Sequence, residues 1–125
     1  MNDDYESAFS VDENGYVTKY VHGNAHSVRI SGNKGDMIYH NHPGGGNFSD
    51  ADLISTSLSH EKGIVASGTH GDYILTKGTH FKANDFVRAV RTAKLKGKDY
   101  DDAVGKWLKR NAKKYGYTYQ FKKAK

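Results

Sequence analysis

The chain carries 125 residues, 36% hydrophobic and 26% charged, a balance ordinary for one globular domain with a single modest core. It has no cysteine, which excludes disulfides and thiolate metal sites, and no apolar run long enough to cross a bilayer. Its net charge of +5 is unevenly placed: residues 1–81 hold five Lys/Arg against ten Asp/Glu, residues 82–125 fourteen against four, so the C-terminal part is expected to face something anionic.

The first forty residues read as strands. Tyr5 to Val11 is followed by Asp12-Glu13-Asn14-Gly15, a hairpin signal because Asn and Gly both tolerate positive φ, and Tyr16 to Val21 is predicted to pair back. Ser27 to Ile30 and Met37 to Tyr39 are predicted as two further short strands. Gly44 to Gly46 open a loop, and a helix is predicted from Ser49 to about Ser59 with Leu53, Ile54 and Leu58 on one face. Gly63 to Ser67 and Tyr73 to Lys77 read as another strand pair.

The remainder reads as helical. Asn84 is the expected N-cap of a helix carrying Phe86, Val87, Val90 and Ala93 and closed by Gly97. Asp99 is expected to cap a second helix, with Val104, Trp107, Leu108 and Tyr115 on one face and Lys106, Lys109, Arg110 and Lys113 opposite. Tyr117 to Phe121 alternates as an edge strand does, and Lys122 to Lys125 are expected to fray. The fold class is therefore α/β or α+β: a mixed sheet, one helix after the loop and two C-terminal helices.

The chemistry gathers in His40-Asn41-His42-Pro43-Gly44-Gly45-Gly46-Asn47-Phe48-Ser49-Asp50-Ala51-Asp52. Side chains two apart on a strand point the same way, so His40 and His42 share a face at the end of a strand expected to be central. The glycine loop then lets a helix starting near Ser49 bring Asp52 beside them. Two imidazoles and a carboxylate form the three-ligand set of a catalytic zinc site that leaves a fourth position for water. Each part has a plainer reading: a surface His pair, a flexible loop, and a Ser-x-x-acid helix cap, which is compatible with metal binding.

At these residues the sequence resembles the JAMM/MPN zinc metalloprotease family (JAB1, Mov34 and RadC-like), whose signature is a Glu, then His-x-His-Pro, then Ser-x-x-Asp. The likeness runs from Tyr5 to Lys77 and is strongest to bacterial and phage versions. It implies a layered MPN fold of cytidine-deaminase-like architecture, with residues 1–80 as the metal-binding core and 81–125 as a basic helical part of the same domain. It also implies Zn²⁺ on His40, His42 and Asp52, with Ser49 stabilising the tetrahedral intermediate. Of the two upstream glutamates, Glu13 falls in the hairpin turn, so the resemblance gives the general-base role to Glu6. The implied reaction is hydrolysis of a peptide or isopeptide bond in a peptide or protein substrate.

The other histidines, His22, His26, His60, His70 and His80, share no ligand-like spacing and read as polar surface residues, with His70 worth watching because its hairpin follows the metal helix. Lys106, Lys109, Arg110 and Lys113 could neutralise phosphates of a nonspecifically bound nucleic acid, or form an ordinary solvated helix face. Two rivals to the hydrolase therefore stand: a non-catalytic phage structural or DNA-associated module with a zinc site, and a metal-dependent nuclease. Met1 to Asp4 are acidic and lack a following apolar stretch, so no secretory signal is expected, and the expected location is cytoplasmic or virion-associated.

Overall fold

Strand β1 (Ser7–Val11) turns back into β2 (Val17–His22), and the chain re-enters the sheet on the other side of β1 as β3 (Met37–Asn41). Helix α1 (Asp50–Leu58) then crosses over to β4 (Gly63–Gly68), which pairs parallel to β3. Every other pairing is antiparallel, through β5 (Gly71–Lys77) to β6 (Tyr117–Lys123), which follows helices α2 (Ala83–Ala93) and α3 (Tyr100–Tyr115). Among the described residues the result is a six-stranded mixed sheet of order β2-β1-β3-β4-β5-β6 with three helices. The computed structural model describes residues 7–22, 30–42, 45–95 and 99–124, and no helix among them is long and apolar enough to cross a membrane.

Strand alternation sets the core. Ala8, His40, Ala66 and Tyr73 lie side by side across the sheet, and Ser10, Ile38, Ile64, Leu75 and Tyr119 form the next row on the same face. Against those rows pack Leu53 of α1, Phe86 and Val90 of α2, and Val104 and Leu108 of α3, with Phe48 fully buried among them. His40 thus sits on the core face of a central strand, in line with small residues: Ala8 and Ala66 flank it and leave room for its ring.

Several local expectations are corrected. Only Gly15 takes positive φ in the first turn, where the Asp12 carboxylate accepts from the N–H groups of Asn14 and Tyr16. Strand β3 runs two residues further than expected and so includes His40 and Asn41. Leu58 is 60% exposed, because the apolar stripe of α1 ends before its last turn. Helix α2 starts at Ala83 after Lys82, so Asn84 lies inside it, and it stops at Ala93 with Lys94 in the left-handed conformation. Asp99 occupies the N-cap position of α3 but makes no side-chain cap bond. Lys122 and Lys123 are held in β6 opposite Asp72 and Gly71. Ile30 belongs to no strand, and Ser27 to Arg29 and Gly97 lie outside the described residues.

Candidate metal centre

Residues from β3, from the position just past it and from α1 converge at the C-terminal end of β3. The strand presents His40, the residue just past it presents His42, and the first turn of α1 presents Asp52. Helix α1 begins where it does because Ser49 caps it: its Oγ accepts from the Asp52 N–H at 3.1 Å, while Asp52 Oδ2 accepts from the Ser49 N–H at 3.0 Å. This reciprocal capping box locks the Asp52 side chain at the helix start with one carboxylate edge toward the histidines.

The two Nε2 atoms face that carboxylate. His42 Nε2 lies 3.4 Å from Asp52 Oδ2, and His40 Nε2 lies 3.9 Å from Asp52 Oδ1. The rings of the two histidines meet edge to face at 4.6 Å between centroids. One potential ligand atom from each of the three residues lies within 4.8 Å of the others. Two ligands held about 2 Å from one ion at a tetrahedral angle stand about 3.3 Å apart, so small side-chain movements would close the set around a metal.

Donor chemistry supports the same fit. The His42 Nδ1 stands 2.8 Å from the Gly46 carbonyl oxygen, which can only accept, so Nδ1 carries the proton and Nε2 presents its lone pair when the ring is neutral. His40 is 5% exposed, and its Nε2 is buried with no hydrogen-bond partner among the described residues. Such an orphaned ring nitrogen is costly unless something else meets it. Burial, reinforced by His42 and opposed by Asp52, pulls the His40 pKa down to about 4, so at neutral pH the ring is uncharged, as a metal ligand must be. Burial pushes Asp52 upward, but the neighbouring His42 and His40 and the Ser49 N–H together hold it below the ordinary carboxylate value.

The remaining sequence-predicted residues are placed as follows. Ser49 is exposed at the rim of the site, its Oγ accepting a cap bond and its hydroxyl proton available to donate outward. Glu6, Pro43, Gly44 and His26 lie outside the described residues. His70 sits in the two-residue turn between β4 and β5 and His80 is exposed, while the exposed His60 bonds through its ring to the Gly32 carbonyl. None of these three joins the ligand cluster. Lys106, Lys109, Arg110 and Lys113 all lie exposed on α3, and Lys106 pairs with Asp102 at 3.0 Å.

Sequence reasoning missed the residues that hold the loop between His42 and Ser49. Asn47 is buried at 4% exposure, its N–H donates to Asp101 Oδ1 at 2.8 Å, and its Nδ2 donates to the Tyr119 hydroxyl at 2.8 Å. The Tyr100 hydroxyl donates to the Phe48 carbonyl at 2.8 Å. No local signal marks these contacts, since each joins residues more than fifty positions apart. No family model matches the chain, and neither a curated protein nor a solved structure matches it.

Proposed function

We propose that the chain is a zinc-dependent hydrolase of the JAMM/MPN type, acting on a peptide or isopeptide bond. The observation that carries this reading is the convergence of His40 Nε2 and His42 Nε2 on the Asp52 carboxylate, with the buried His40 nitrogen left without a hydrogen-bond partner among the described residues. Two histidines and one carboxylate on rigid elements are a ligand set that suits zinc and leaves a coordination position open. When bound, such an ion supplies Lewis acidity, polarising a carbonyl and acidifying water.

The chain's own groups fill the other roles. Ser49 Oγ accepts from the Asp52 N–H and keeps its proton to donate to an oxyanion, so capping and catalysis use different parts of one hydroxyl. The base role rests with Glu6 on the family resemblance; in sequence it stands two residues before Ala8, whose main chain pairs with His40. The test is metal analysis of the purified protein beside His40→Ala and His42→Ala, followed by a screen of peptide and isopeptide substrates with Glu6→Gln as control. One zinc per chain in the wild type alone, and turnover lost in Glu6→Gln, are the expected results. A wild type that takes up no zinc when supplied with it sinks the reading.

One observation favours a second reading, that of a nucleic-acid-binding module. Between α2 and α3 runs a groove of ≈ 530 Å³ whose lining includes the half-buried Trp107 together with Lys82, Arg88 and Lys114, and Asp85, which pairs with Arg88 at 3.6 Å. A groove that holds an aromatic ring and several cations is suited to stacking a base while neutralising adjacent phosphates. That reading expects salt-sensitive binding of single-stranded oligonucleotide that is lost in a Lys82→Glu/Arg88→Glu/Lys114→Glu variant and untouched by Glu6→Gln.

A further inference from the structure

The described residues of the loop between His42 and Ser49 contribute no member of the ligand cluster, yet they are bonded to distant parts of the chain. The loop's central peptide unit, between Gly46 and Asn47, is engaged at both ends. The Gly46 carbonyl accepts from His42 Nδ1 at 2.8 Å, and the N–H of the same planar amide donates to Asp101 Oδ1 at 2.8 Å. This peptide bond is trans, like every other among the described residues, so its carbonyl and its N–H point in opposite directions across one rigid plate. A carboxylate pulling on the N–H strengthens the carbonyl as an acceptor and fixes the plate's orientation.

The Asn47 side chain is clamped independently. Its Nδ2 donates to the Tyr119 hydroxyl at 2.8 Å and to the Asp101 main-chain oxygen at 3.2 Å, and its Oδ1 accepts from the Phe48 N–H at 2.7 Å. Two glycines accommodate this packing. A Cβ on Gly46 would stand 3.2 Å from Asp101 Oδ1, and one on Gly105 of α3 would stand 3.3 Å from the Tyr119 hydroxyl and 3.6 Å from Asn47 Nδ2. Glycine inside a helix costs about 1 kcal/mol relative to alanine, and here it makes room for the clamp.

We propose that Asp101 and Tyr119, acting through the Gly46–Asn47 amide, are positioning residues that hold the His42 ring with Nδ1 protonated and Nε2 turned to the metal. Metal-ligating histidines commonly donate their second nitrogen to a carboxylate or a carbonyl; here a carboxylate acts on the imidazole with one peptide plate inserted between them. The carboxylate comes from the first turn of α3 and the hydroxyl from β6, so the basic C-terminal part completes a site whose ligands all lie upstream of it. This inference rests on the metal-centre reading.

The experiment uses the full chain, with Asp101→Ala, Asp101→Asn and Tyr119→Phe compared against wild type. Zinc affinity, measured by chelator competition, is expected to fall about tenfold in Asp101→Ala, in line with other losses of a ligand's hydrogen-bond partner. It is expected to stay within about threefold of wild type in Asp101→Asn, whose amide oxygen still accepts from Asn47, and to fall about threefold in Tyr119→Phe. The ¹⁵N signals of His42 in metal-free protein give the readout that a merely structural role would not move. Wild type is expected to show the Nδ1–H tautomer, Asp101→Asn to keep it, and the other two variants to gain the Nε2–H form. Asp101 is exposed in the first helical turn, so alanine is compatible with folding there, and Tyr119→Phe keeps the ring in place should it not be. Unchanged His42 signals in either folded variant overturn the positioning role. A wild type that binds no zinc overturns the metal centre instead, and the tautomer comparison still decides the relay.

Discussion

The two ends of β3 each bury a titratable side chain, and the surroundings differ in a telling way. Asp36, just before the strand, is 2% exposed, and its Oδ2 accepts from the Ser10 hydroxyl at 2.7 Å, the Thr18 hydroxyl at 2.8 Å and the Asn33 N–H at 3.1 Å. The charge there is met from three elements, and the cluster ties β1, β2 and the turn before β3 into one unit. At the other end His40 is nearly as buried, but its Nε2 finds no hydrogen-bond partner among the described residues and faces a carboxylate at 3.9 Å. Buried polar atoms are nearly always satisfied, so the closed cluster reads as structure and the open one as a place for a ligand.

That contrast breaks first if its open end proves closed. His40→Ala and His42→Ala are each expected to weaken zinc binding at least about a hundredfold in a calorimetric titration, whereas Asp36→Ala, which disrupts only the closed end, leaves affinity unchanged within about twofold. Zinc retained by both histidine variants would dissolve the distinction. The next effect is thermodynamic. Free zinc at about a hundred times its Kd should stabilise the wild type by about 2.7 kcal/mol and leave His40→Ala unmoved, as thermal melts with and without the metal would reveal.

Smaller effects sharpen the picture. Ser49→Ala removes the cap acceptor of α1 and should lower stability by about 1 kcal/mol in urea denaturation, with the metal affinity reduced only as far as Asp52 loosens. The smallest effect lies at Asp36 and is read as a pH dependence. The Ser10 and Thr18 hydroxyls, then the Asn33 N–H and Lys19, outweigh burial and hold its pKa below the ordinary carboxylate value. A group depressed on folding stabilises above its unfolded pKa, and that contribution is lost as pH falls through the lower folded value. The stability gap between wild type and Asp36→Asn should therefore be full at about pH 6 and close as the pH drops below about 4; a gap that widens in acid would contradict the assigned sign.

Legibility follows sequence distance. His40, His42, Ser49 and Asp52 fall in one short segment, and their meeting needs only strand alternation, a turn rich in glycine and a capped helix, all local rules. Order and kind of the described elements were readable for the same reason, since apolar periodicity marks β4, α2 and α3 in the sequence. Local reading failed where a tertiary neighbour decided the outcome. Leu58 looks apolar-faced by periodicity yet lies exposed, and Lys122 and Lys123 look like a fraying tail yet pair with β5. Asn84 looks like a cap, but α2 starts one residue earlier.

By itself, then, the sequence determined which three residues form the candidate ligand set, the face on which the two imidazoles lie, and the asymmetry of charge between the two parts of the chain. Only the tertiary structure decided that those parts meet beside the candidate site. Strand β6 joins the sheet beside β5, and this places Asp101 and Tyr119 against Asn47, 54 and 72 residues away along the chain. The physical reason is that a hydrogen bond depends on distance and angle in space. No residue pattern near Asn47 records which distant carboxylate or hydroxyl the packing of the sheet and helices will bring to it.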